Sequence, residues 1–493
     1  MATKKVSLIG ASSACSLSWD SLPWSQINKQ VYRLQMRIAK AVREGRKGKV
    51  KSLQRLLTRS FYGKCLAVKR VVQNKGAKTP GIDNILWKTP LQKMNAILAL
   101  KCKEYKPLPL KRVLIPKKNS SKKRPLSIPA MKDRAMQALW LLALEPIAEE
   151  RADKNSYGFR PKRSVADAIG QCYLLLCRKT SAQWVFEADI RACFDQISSD
   201  WLLENIPMDK RILKKFLKAG YMERGVIYPT TDGTPQGGII SPTLALIALS
   251  GLGEKLNRLF KKGTKVQAVI YCDDFIVTGA SKEQLEKLVI PCIQRFLEER
   301  GLELSQEKSK ITHIEEGFDF LGHNLRKFKD TLIIRPSKAS VKAFLKDIRT
   351  CIKTNVSAKT ENLIHLLNPK IRGWANYFRH ICSSSTFRYV DHQIFMAFKK
   401  WCAHRHPNKG WRWIYREYYR DTPRRRWVFG VKVKGKDSSS SHLDLVLASR
   451  TLIRRHFKII GEAHPYDPRF KEYFLRREQG QKSVQPKGSR PLY

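Results

Sequence analysis

Short apolar runs and basic amphipathic stretches alternate along this chain in an irregular order. Residues 24–73 predict two basic amphipathic helices, separated by a break near Glu44–Gly48. Apolar, β-rich runs predict short strands at Trp184–Ile190, Val266–Asp274 and Phe275–Gly279, and helices are expected between the first two of them. Strands and helices in this order favour an α+β fold over a doubly wound parallel sheet.

Proline, glycine and charge mark the borders of the other segments. Lys106–Pro129 is proline-rich and strongly basic, and its short apolar runs predict two strands joined by an exposed basic loop. A helix is expected at Asp133–Arg151. From Lys338 onward the pattern is mostly helical, and Gly410–Trp427 is dense in Trp, Tyr and Arg. Lys434–Ser440 has the composition of a linker.

The charge of the chain points to a polyanionic partner. Its 493 residues include 95 Lys and Arg against 42 Asp and Glu, a formal net charge of +53. Such an excess favours nucleic acid over an anionic membrane. The longest apolar stretches, Ala138–Leu144 and Leu244–Leu249, are far shorter than the roughly 20 residues of a membrane span. The 11 cysteines form no CxxC pair, which indicates reduced thiols in a cytosol-like compartment.

Three carboxylates carry the candidate chemistry. Asp273 and Asp274 follow Tyr271 between two apolar strands, which predicts that they lie at the tip of a tight β-hairpin. Adjacent buried carboxylates repel one another unless a cation offsets them, although an aspartate pair most often marks only a solvated turn. Asp189 ends another apolar strand. If that strand lies beside the hairpin, the three would surround two Mg²⁺ ions about 4 Å apart, an arrangement suited to phosphoryl transfer.

The motifs around these carboxylates resemble those of a known family. ADIRACFD, GTPQGGIISPTLA and YCDD, in that order, are similar to the palm motifs of reverse transcriptases. SYGFRP, RPLSIP, NKGAKTPGID, GLELSQEKSKITH and FDFLG are similar to segments of the group II intron-encoded proteins, and the resemblance covers roughly residues 70–480. It implies a right-hand polymerase fold of fingers and palm, followed by an α-helical thumb/maturase domain and a small basic DNA-binding segment.

The resemblance also implies a division of the chain and a function. The expected parts are a basic helical extension, the fingers and palm, the thumb/maturase domain and a basic DNA-binding tail, at residues 1–73, 74–334, 335–427 and 428–493. The implied protein is an RNA-directed DNA polymerase that uses dNTPs and Mg²⁺ in the bacterial cytoplasm. It would bind its group II intron RNA to assist splicing, and enter target DNA by target-primed reverse transcription. No complete HNH endonuclease domain is expected, and the oligomeric state stays open.

The resemblance assigns roles around the metal site. Asp189, Asp273 and Asp274 match the catalytic metal ligands of the family, and the carbonyl of Ile190 is a further expected ligand. Phe194 matches the bulky residue beneath the incoming sugar, where a ring would collide with a ribose 2′-hydroxyl. The alternative for Phe194, taken alone, is a packed core side chain.

Further residues match the positions that contact the nucleotide. Arg124 and Lys117 match the residues that hold the triphosphate, with Lys118 an alternative to Lys117. The planar fork of arginine suits phosphate. Gln236 matches the residue that contacts the nucleotide and its template partner. Lys308 lies where polymerases place a cation near the leaving pyrophosphate, but the sequence alone favours a surface lysine.

The helical half of the chain is expected to bind RNA. Lys409, Arg424, Arg425 and Arg426 are the candidates for direct RNA contact. For Trp374, Tyr377, Phe378 and Arg379 we favour packing within the thumb over stacking on bases. A metal site at Cys402, His404 and His406 is less favoured than a structural or RNA-facing role.

Two other classes of protein compete with this interpretation. One is a splicing cofactor that binds RNA without polymerising, which the intact carboxylates disfavour. The other is a reverse transcriptase of another bacterial element, which would not require the long maturase-like region. An RNA-copying RNA polymerase is disfavoured by Phe194.

Overall fold

The computed structural model of this chain describes most of its length. The described residues are 18–116, 123–230, 233–422, 425–434 and 440–479. Among the residues singled out above, Lys117, Lys118 and Arg424 lie outside these ranges, and of Arg425 only the backbone is described.

Among the described residues, helices contribute more residues than strands, and the strands form four small sheets. The helices are α1 (Trp24–Arg43), α2 (Lys47–Arg59), α3 (Phe61–Gln73), α4 (Pro90–Ala99), α5 (Met131–Arg151), α6 (Val165–Leu176), α7 (Cys193–Gln196), α8 (Ser199–Asn205), α9 (Lys210–Leu217), α10 (Ser241–Leu249), α11 (Leu252–Leu259), α12 (Lys282–Gln284), α13 (Ile290–Glu298), α14 (Lys338–Thr354), α15 (Thr360–Phe378), α16 (Ser384–Arg405), α17 (Trp411–Tyr418) and α18 (Lys471–Glu478). The strands are β1 (Leu110–Pro116), β2 (Lys123–Ile128), β3 (Trp184–Asp189), β4 (Tyr221–Glu223), β5 (Val226–Tyr228), β6 (Gln267–Tyr271), β7 (Asp274–Gly279), β8 (Lys310–His313), β9 (Phe318–Phe320), β10 (His323–Phe328), β11 (Thr331–Pro336), β12 (Tyr419–Thr422), β13 (Arg425–Lys434) and β14 (Ser440–Asp444).

Three helices, rather than the two predicted, occupy residues 24–73. The predicted break between α1 and α2 is present, but a second break falls at Ser60. Ser60 is extended, and its Oγ accepts a hydrogen bond from the backbone N–H of Gly63, which caps α3. The prediction of one helix after residue 47 was therefore wrong, because a serine cap interrupts an otherwise continuous helical pattern.

Helix α5 lies at the centre of the first hydrophobic core, and α1, α2 and α3 pack against it. Its side chains are buried on nearly all sides. Near its start, Asp133 is buried and accepts hydrogen bonds from the Tyr105 hydroxyl at 2.8 Å and the Leu108 N–H at 3.2 Å. The predicted strands β1 and β2 are antiparallel neighbours, and the sheet continues through β4 and β5.

The sheet that we call the palm sheet has the strand order β6-β7-β3-β8, and its neighbouring strands are antiparallel. Strands β6 and β7 form the predicted hairpin, and β3 lies directly beside it, with Asp189 opposite Asp274 in the register. Side chains of both faces are buried, in two separate cores. The expected α+β class is confirmed.

The thumb helices α14, α15 and α16 follow a small sheet of β9, β10 and β11. Trp374 stacks on Phe344 with ring centroids 4.6 Å apart, and Phe378 is buried, as predicted for a packed helical seam. Tyr377 is half-exposed and donates its hydroxyl to the Leu321 carbonyl. Cys402 is buried, so its side chain belongs to the packing of this region.

Beyond the thumb, the chain forms a fourth small sheet of β12, β13 and β14. Strand β13 runs across residue 427, where the sequence placed a division between the thumb domain and the tail. The Arg420 guanidinium and the Asp444 carboxylate make a bidentate ion pair between β12 and β14. The two sides of that division are thus connected by one strand.

Residues 445–479, which we call the C-terminal segment, connect the thumb, the palm and the N-terminal helices. Asp391 of the thumb accepts hydrogen bonds from the N–H groups of Ala448 and Ser449. The hydroxyl of Tyr466 donates to Glu145 of α5. No helix among the described residues is long and apolar enough to cross a lipid bilayer.

Candidate active site

The turn between β6 and β7 carries the aspartate pair. Cys272 adopts a left-handed backbone conformation, with φ of +61°, which lets the chain reverse between Tyr271 and Asp274. Gly158 packs directly beneath this turn. A Cβ atom on Gly158 would lie 2.3 Å from the Cys272 Sγ atom and 2.4 Å from its backbone nitrogen. The glycine of SYGFRP therefore allows the turn to come so close.

Asp189 ends strand β3 directly beside this turn. Its Cα is the register partner of the Asp274 Cα, and its carbonyl accepts a hydrogen bond of 2.8 Å from the Ser305 N–H. Lys308, for which the sequence favoured a plain surface position, donates from Nζ to the Asp189 Oδ2 atom at 2.6 Å. The Lys308 side chain is exposed, as the sequence favoured, and its contact with Asp189 forms because the loop after α13 folds back toward the end of β3.

The electrostatics of the site are those of crowded negative charges. Burial, together with the charges of Asp273 and Asp189, raises the pKa of Asp274 to about 6. Burial and the Asp189 charge also raise the pKa of Asp273, against the opposing charges of Arg124 and Lys308. The hydrogen bond to Asp189 raises the pKa of Lys308. Any further cation bound here would relieve this repulsion.

The three carboxylates are neighbours, but their side chains are not arranged as a complete set of metal ligands. Within the described ranges, no three or more His, Cys, Asp or Glu side chains are gathered as a group that could hold a metal ion. Lys308 occupies one oxygen of Asp189, and Ile190 is buried and paired with Leu304. Carboxylate oxygens that repel one another are nevertheless the hard donors that suit Mg²⁺.

A cleft of about 1050 Å³ opens beside these carboxylates. Arg124, Ile190, Phe194, Gln236 and Lys308 all line it together with Asp189 and Asp273. The structure thus brings together around one space every nucleotide-site residue that the sequence singled out and the structure describes.

The floor of the cleft is built by aromatic and glycine contacts. The Phe194 ring meets the Phe159 ring edge to face, with centroids 5.9 Å apart, and is half-buried rather than enclosed in the core. Gly237 has a φ of +114°, and a Cβ atom there would lie 2.6 Å from the Ser127 carbonyl oxygen. The Ser127 N–H donates to the Gln236 carbonyl at 2.7 Å, which connects this turn to strand β2.

Sequence reasoning missed three participants in this site. Asp195 accepts a hydrogen bond of 3.0 Å from the Gln236 side chain, and Phe159 and Gly158 support the cleft and the turn. All three stand in motifs that had been recognised, ADIRACFD and SYGFRP. Their motifs were a usable signal, but which neighbour each side chain meets depends on the packing of separate loops.

The RNA-contact candidates that the structure describes lie at the surface of the thumb region. Lys409 is exposed, with its Nζ 5.6 Å from the centroid of the Trp413 ring. Arg426 is exposed on β13, close to Asp421, whose pKa is lowered chiefly by the hydrogen bond from Tyr415 and to a smaller extent by the Arg426 charge. Neither belongs to the cleft beside the carboxylates.

Three protein families match consecutive parts of the chain. The N-terminal domain of reverse transcriptase matches residues 19–100, and reverse transcriptase (RNA-dependent DNA polymerase) matches residues 115–325. The maturase-specific domain of group II introns matches residues 341–419.

Individual relatives agree with these matches. Protein YkfC of Escherichia coli is 35% identical over 320 residues, which cover 56% of this chain and 83% of YkfC. Group II intron-encoded protein LtrA of Lactococcus lactis is 27% identical over 437 residues, covering 69% of this chain and 72% of LtrA. An uncharacterized 91 kDa protein in the cob intron of Schizosaccharomyces pombe is 26% identical over 416 residues, which cover 67% of this chain and 51% of that protein.

A palm sheet with aspartates at the ends of adjacent strands, beside a cleft with cationic walls, defines a template-directed nucleic-acid polymerase. The family matches narrow this class. The chain belongs to the group II intron-encoded reverse transcriptases with a maturase domain. It is an RNA-directed DNA polymerase that also serves group II intron splicing and retrohoming.

Proposed function

We propose that Asp189, Asp273 and Asp274, with the carbonyl of Ile190, hold two Mg²⁺ ions at which this polymerase adds dNTPs to a DNA primer. The observation that carries the proposal is the register of the palm sheet, which places Asp189 opposite Asp274, the residue that directly follows Asp273 in the sequence. The bound ions would supply activation of the primer 3′-hydroxyl and neutralisation of the triphosphate.

Cationic side chains of the cleft would bind the triphosphate of the incoming nucleotide. Arg124 and Lys308 present positive charge toward the carboxylates, where the triphosphate of an incoming nucleotide would lie. As the primer 3′-hydroxyl loses its proton to solvent and its oxygen bonds to the α-phosphorus, the bond from that phosphorus to the oxygen bridging to the β-phosphate breaks and pyrophosphate leaves. Lys308 bonds only the Oδ2 atom of Asp189, which would leave the other carboxylate oxygen for an ion while the ammonium faces the phosphates.

The sugar and the base of the incoming nucleotide would contact a different set of side chains in the cleft. Phe194, which lines the cleft together with Asp189 and Asp273 and packs on Phe159, would exclude a ribose 2′-hydroxyl by contact with its ring. Gln236 is held by Asp195 beside the Gly237 turn, where the backbone can approach the nascent base pair. The site therefore favours deoxynucleotides.

We further propose the partners of the whole protein. Group II intron RNA would contact Lys409 and the stretch Arg424, Arg425 and Arg426, and the primer would be supplied by target DNA. The net charge of +53 supports both polyanionic partners. Within the described residues the cysteines are free thiols, which supports work in the reducing bacterial cytoplasm.

The test is primer extension on an RNA template by the Asp273→Asn and Asp274→Asn variants. We expect a loss of at least about 1000-fold in nucleotide addition, because a metal ligand acts in the transition state, with intron RNA affinity within about twofold of wild type. Asp330→Asn, an exposed aspartate in the turn between β10 and β11, is the matched control and should extend normally. Extension by either site variant at the wild-type rate would refute the assignment.

A further inference from the structure

Two cavities meet at the turn that carries Gln236. One is the cleft beside the carboxylates, and the other, of about 320 Å³, lies between this turn and the strands β1, β2 and β4. We call the second one the rear cavity. Pro125, Asp195 and Gln236 line both cavities, so these three residues form the wall between them.

The backbone of this turn is held by the elements on either side of it. The Ser127 N–H of β2 donates to the Gln236 carbonyl at 2.7 Å. The Thr234 N–H donates to the Phe194 carbonyl of α7 at 2.6 Å. The position of the Gln236 backbone is therefore fixed, and the direction of its side chain is what remains to be decided.

One hydrogen bond fixes the direction of the Gln236 side chain. Its Nε2 atom donates to the Asp195 Oδ2 atom at 3.0 Å, which is the amide's only hydrogen bond within the described part of the chain. The backbone of Asp195 packs closely on the turn, since a Cβ atom on Gly233 would lie 2.6 Å from the Asp195 carbonyl oxygen. Backbone packing thus holds the carboxylate within bonding distance of the amide.

The rear cavity offers the Gln236 side chain a second place. Its lining includes Arg112 and Thr234, and the buried Arg112 Nε and Thr234 Oγ1 atoms have no hydrogen-bond partner among the described residues. Buried donors without a partner are unfavourable, and the carbonyl oxygen of an amide turned into the rear cavity would satisfy them. The Gln236 amide therefore finds room and partners on both sides of the turn.

We propose that Asp195 is a positioning residue, which holds the Gln236 amide in the cleft beside the carboxylates and keeps it out of the rear cavity. Without the hydrogen bond from Gln236 to Asp195, the amide turns toward Arg112 and Thr234, and an incoming nucleotide loses its contact with Gln236. The proposal rests on the polymerase function proposed above. It gives the second aspartate of ADIRACFD a role in nucleotide affinity that is separate from the metal site.

The first test compares two side chains of similar size at position 195 in primer extension. Asp195→Leu removes the acceptor, and we expect the KM for dNTPs to rise about 10- to 100-fold with kcat within about threefold of wild type, because fewer molecules hold Gln236 in the competent direction. Asp195→Asn keeps an oxygen that can accept the same N–H and should restore most of the affinity. An equal rise in both variants, or a wild-type KM in Asp195→Leu, would overturn the proposal.

The second test is a double-mutant cycle between the two side chains. Gln236→Leu should raise the KM for dNTPs about as much as Asp195→Leu does. The double variant Asp195→Leu/Gln236→Leu should be no worse than either single variant, since Asp195 acts through Gln236. Losses that multiply in the double variant would show that Asp195 acts independently of Gln236 and would sink the proposal.

The matched control is Asp200→Leu, which changes an exposed aspartate on α8 that lines neither cavity and should leave the KM unchanged. Discrimination against rNTPs should persist in Asp195→Leu, because Phe194 keeps its place. Loss of that discrimination together with the rise in KM would show that α7 has moved, and the positioning role would be wrong. Wild-type extension by Asp273→Asn would overturn the proposed function, whereas the KM values of the Asp195 variants decide this proposal.

Discussion

At the scale of single residues, the behaviour of the site is set by charges close together. Asp274 shares one end of the palm sheet with Asp189 and Asp273, and Lys308 and Arg124 only partly offset them. The chemistry of each group therefore depends on its neighbours more than on its own ordinary pKa. The same is true of Phe194, whose proposed role depends on the space left between its ring and the carboxylates.

Proton competition should weaken metal binding at mildly acidic pH. The pKa of Asp274 is raised to about 6, so its proton is present below that pH and lost above it. We expect the Mg²⁺ concentration for half-maximal primer extension to rise as the pH falls from 7.5 to 5.5, as the carboxylate becomes protonated. Titrations of Mg²⁺ at fixed pH measure this, and a requirement that is the same across the range would contradict it.

Shortening the Phe194 side chain should weaken sugar discrimination. In Phe194→Ala, the ring that meets Phe159 is gone, and space opens beside the carboxylates. We expect the ratio of kcat/KM for dNTP over rNTP to fall at least about tenfold, mainly through better rNTP use. Phe395→Ala, which removes a ring that stacks on Trp427 in the thumb region, is the control. Unchanged discrimination in Phe194→Ala would remove the steric explanation.

At the scale of elements, the β6–β7 hairpin is positioned by the loop beneath it. The Tyr157 N–H donates to the Ile270 carbonyl at 2.9 Å, and the Ile270 N–H donates to the Asn155 carbonyl at 3.0 Å. Gly158 then brings this loop against Cys272. The aspartates consequently depend on a loop more than 100 residues earlier in the chain.

A methyl group at Gly158 should displace the catalytic turn. In Gly158→Ala the new Cβ would overlap the Cys272 Sγ atom and its backbone nitrogen. We expect primer extension to fall at least about tenfold, with intron RNA binding retained. Gly373→Ala in α15 meets no atom within 4 Å and is the matched control, which should extend primers normally. Full activity of Gly158→Ala would show that the close packing of loop and turn is not needed.

At the scale of the whole molecule, the C-terminal segment ties thumb, palm and N-terminal helices together. Asp391 binds its start, Asp167 its middle, and Arg43 of α1 lies 2.8 Å from Asp467 near its end. Neighbouring positive charges and hydrogen bonds lower the pKa of Asp167 far below its usual range, against the effect of burial. Its contribution to stability is therefore present at neutral pH and lost only in strong acid.

Removal of the Asp167 charge should loosen this connection. Asp167→Asn leaves Arg477 and His456 without their buried partner, which costs about 3–5 kcal/mol for a buried pair. We expect faster proteolysis within residues 445–479 and a lower free energy of unfolding in urea. Asp347→Asn breaks an exposed pair with Lys370 and should cost at most about 1 kcal/mol. Equal free energies of unfolding of the two variants would contradict the stabilising role of Asp167 in this connection.

The sequence by itself determined the class of fold, the family, the hairpin that carries Asp273 and Asp274, and the polyanionic partners. These properties follow from the alternation of apolar and polar residues, from turn residues, from net charge and from contiguous motifs, all of which can be recognised in short stretches of the sequence. Only the tertiary structure decided that Lys308 reaches Asp189, that Gln236 is held by Asp195, and that the C-terminal segment clasps the palm. Those contacts join residues 41 to 310 positions apart, and they form because separate elements pack on shared cores, which no local pattern specifies.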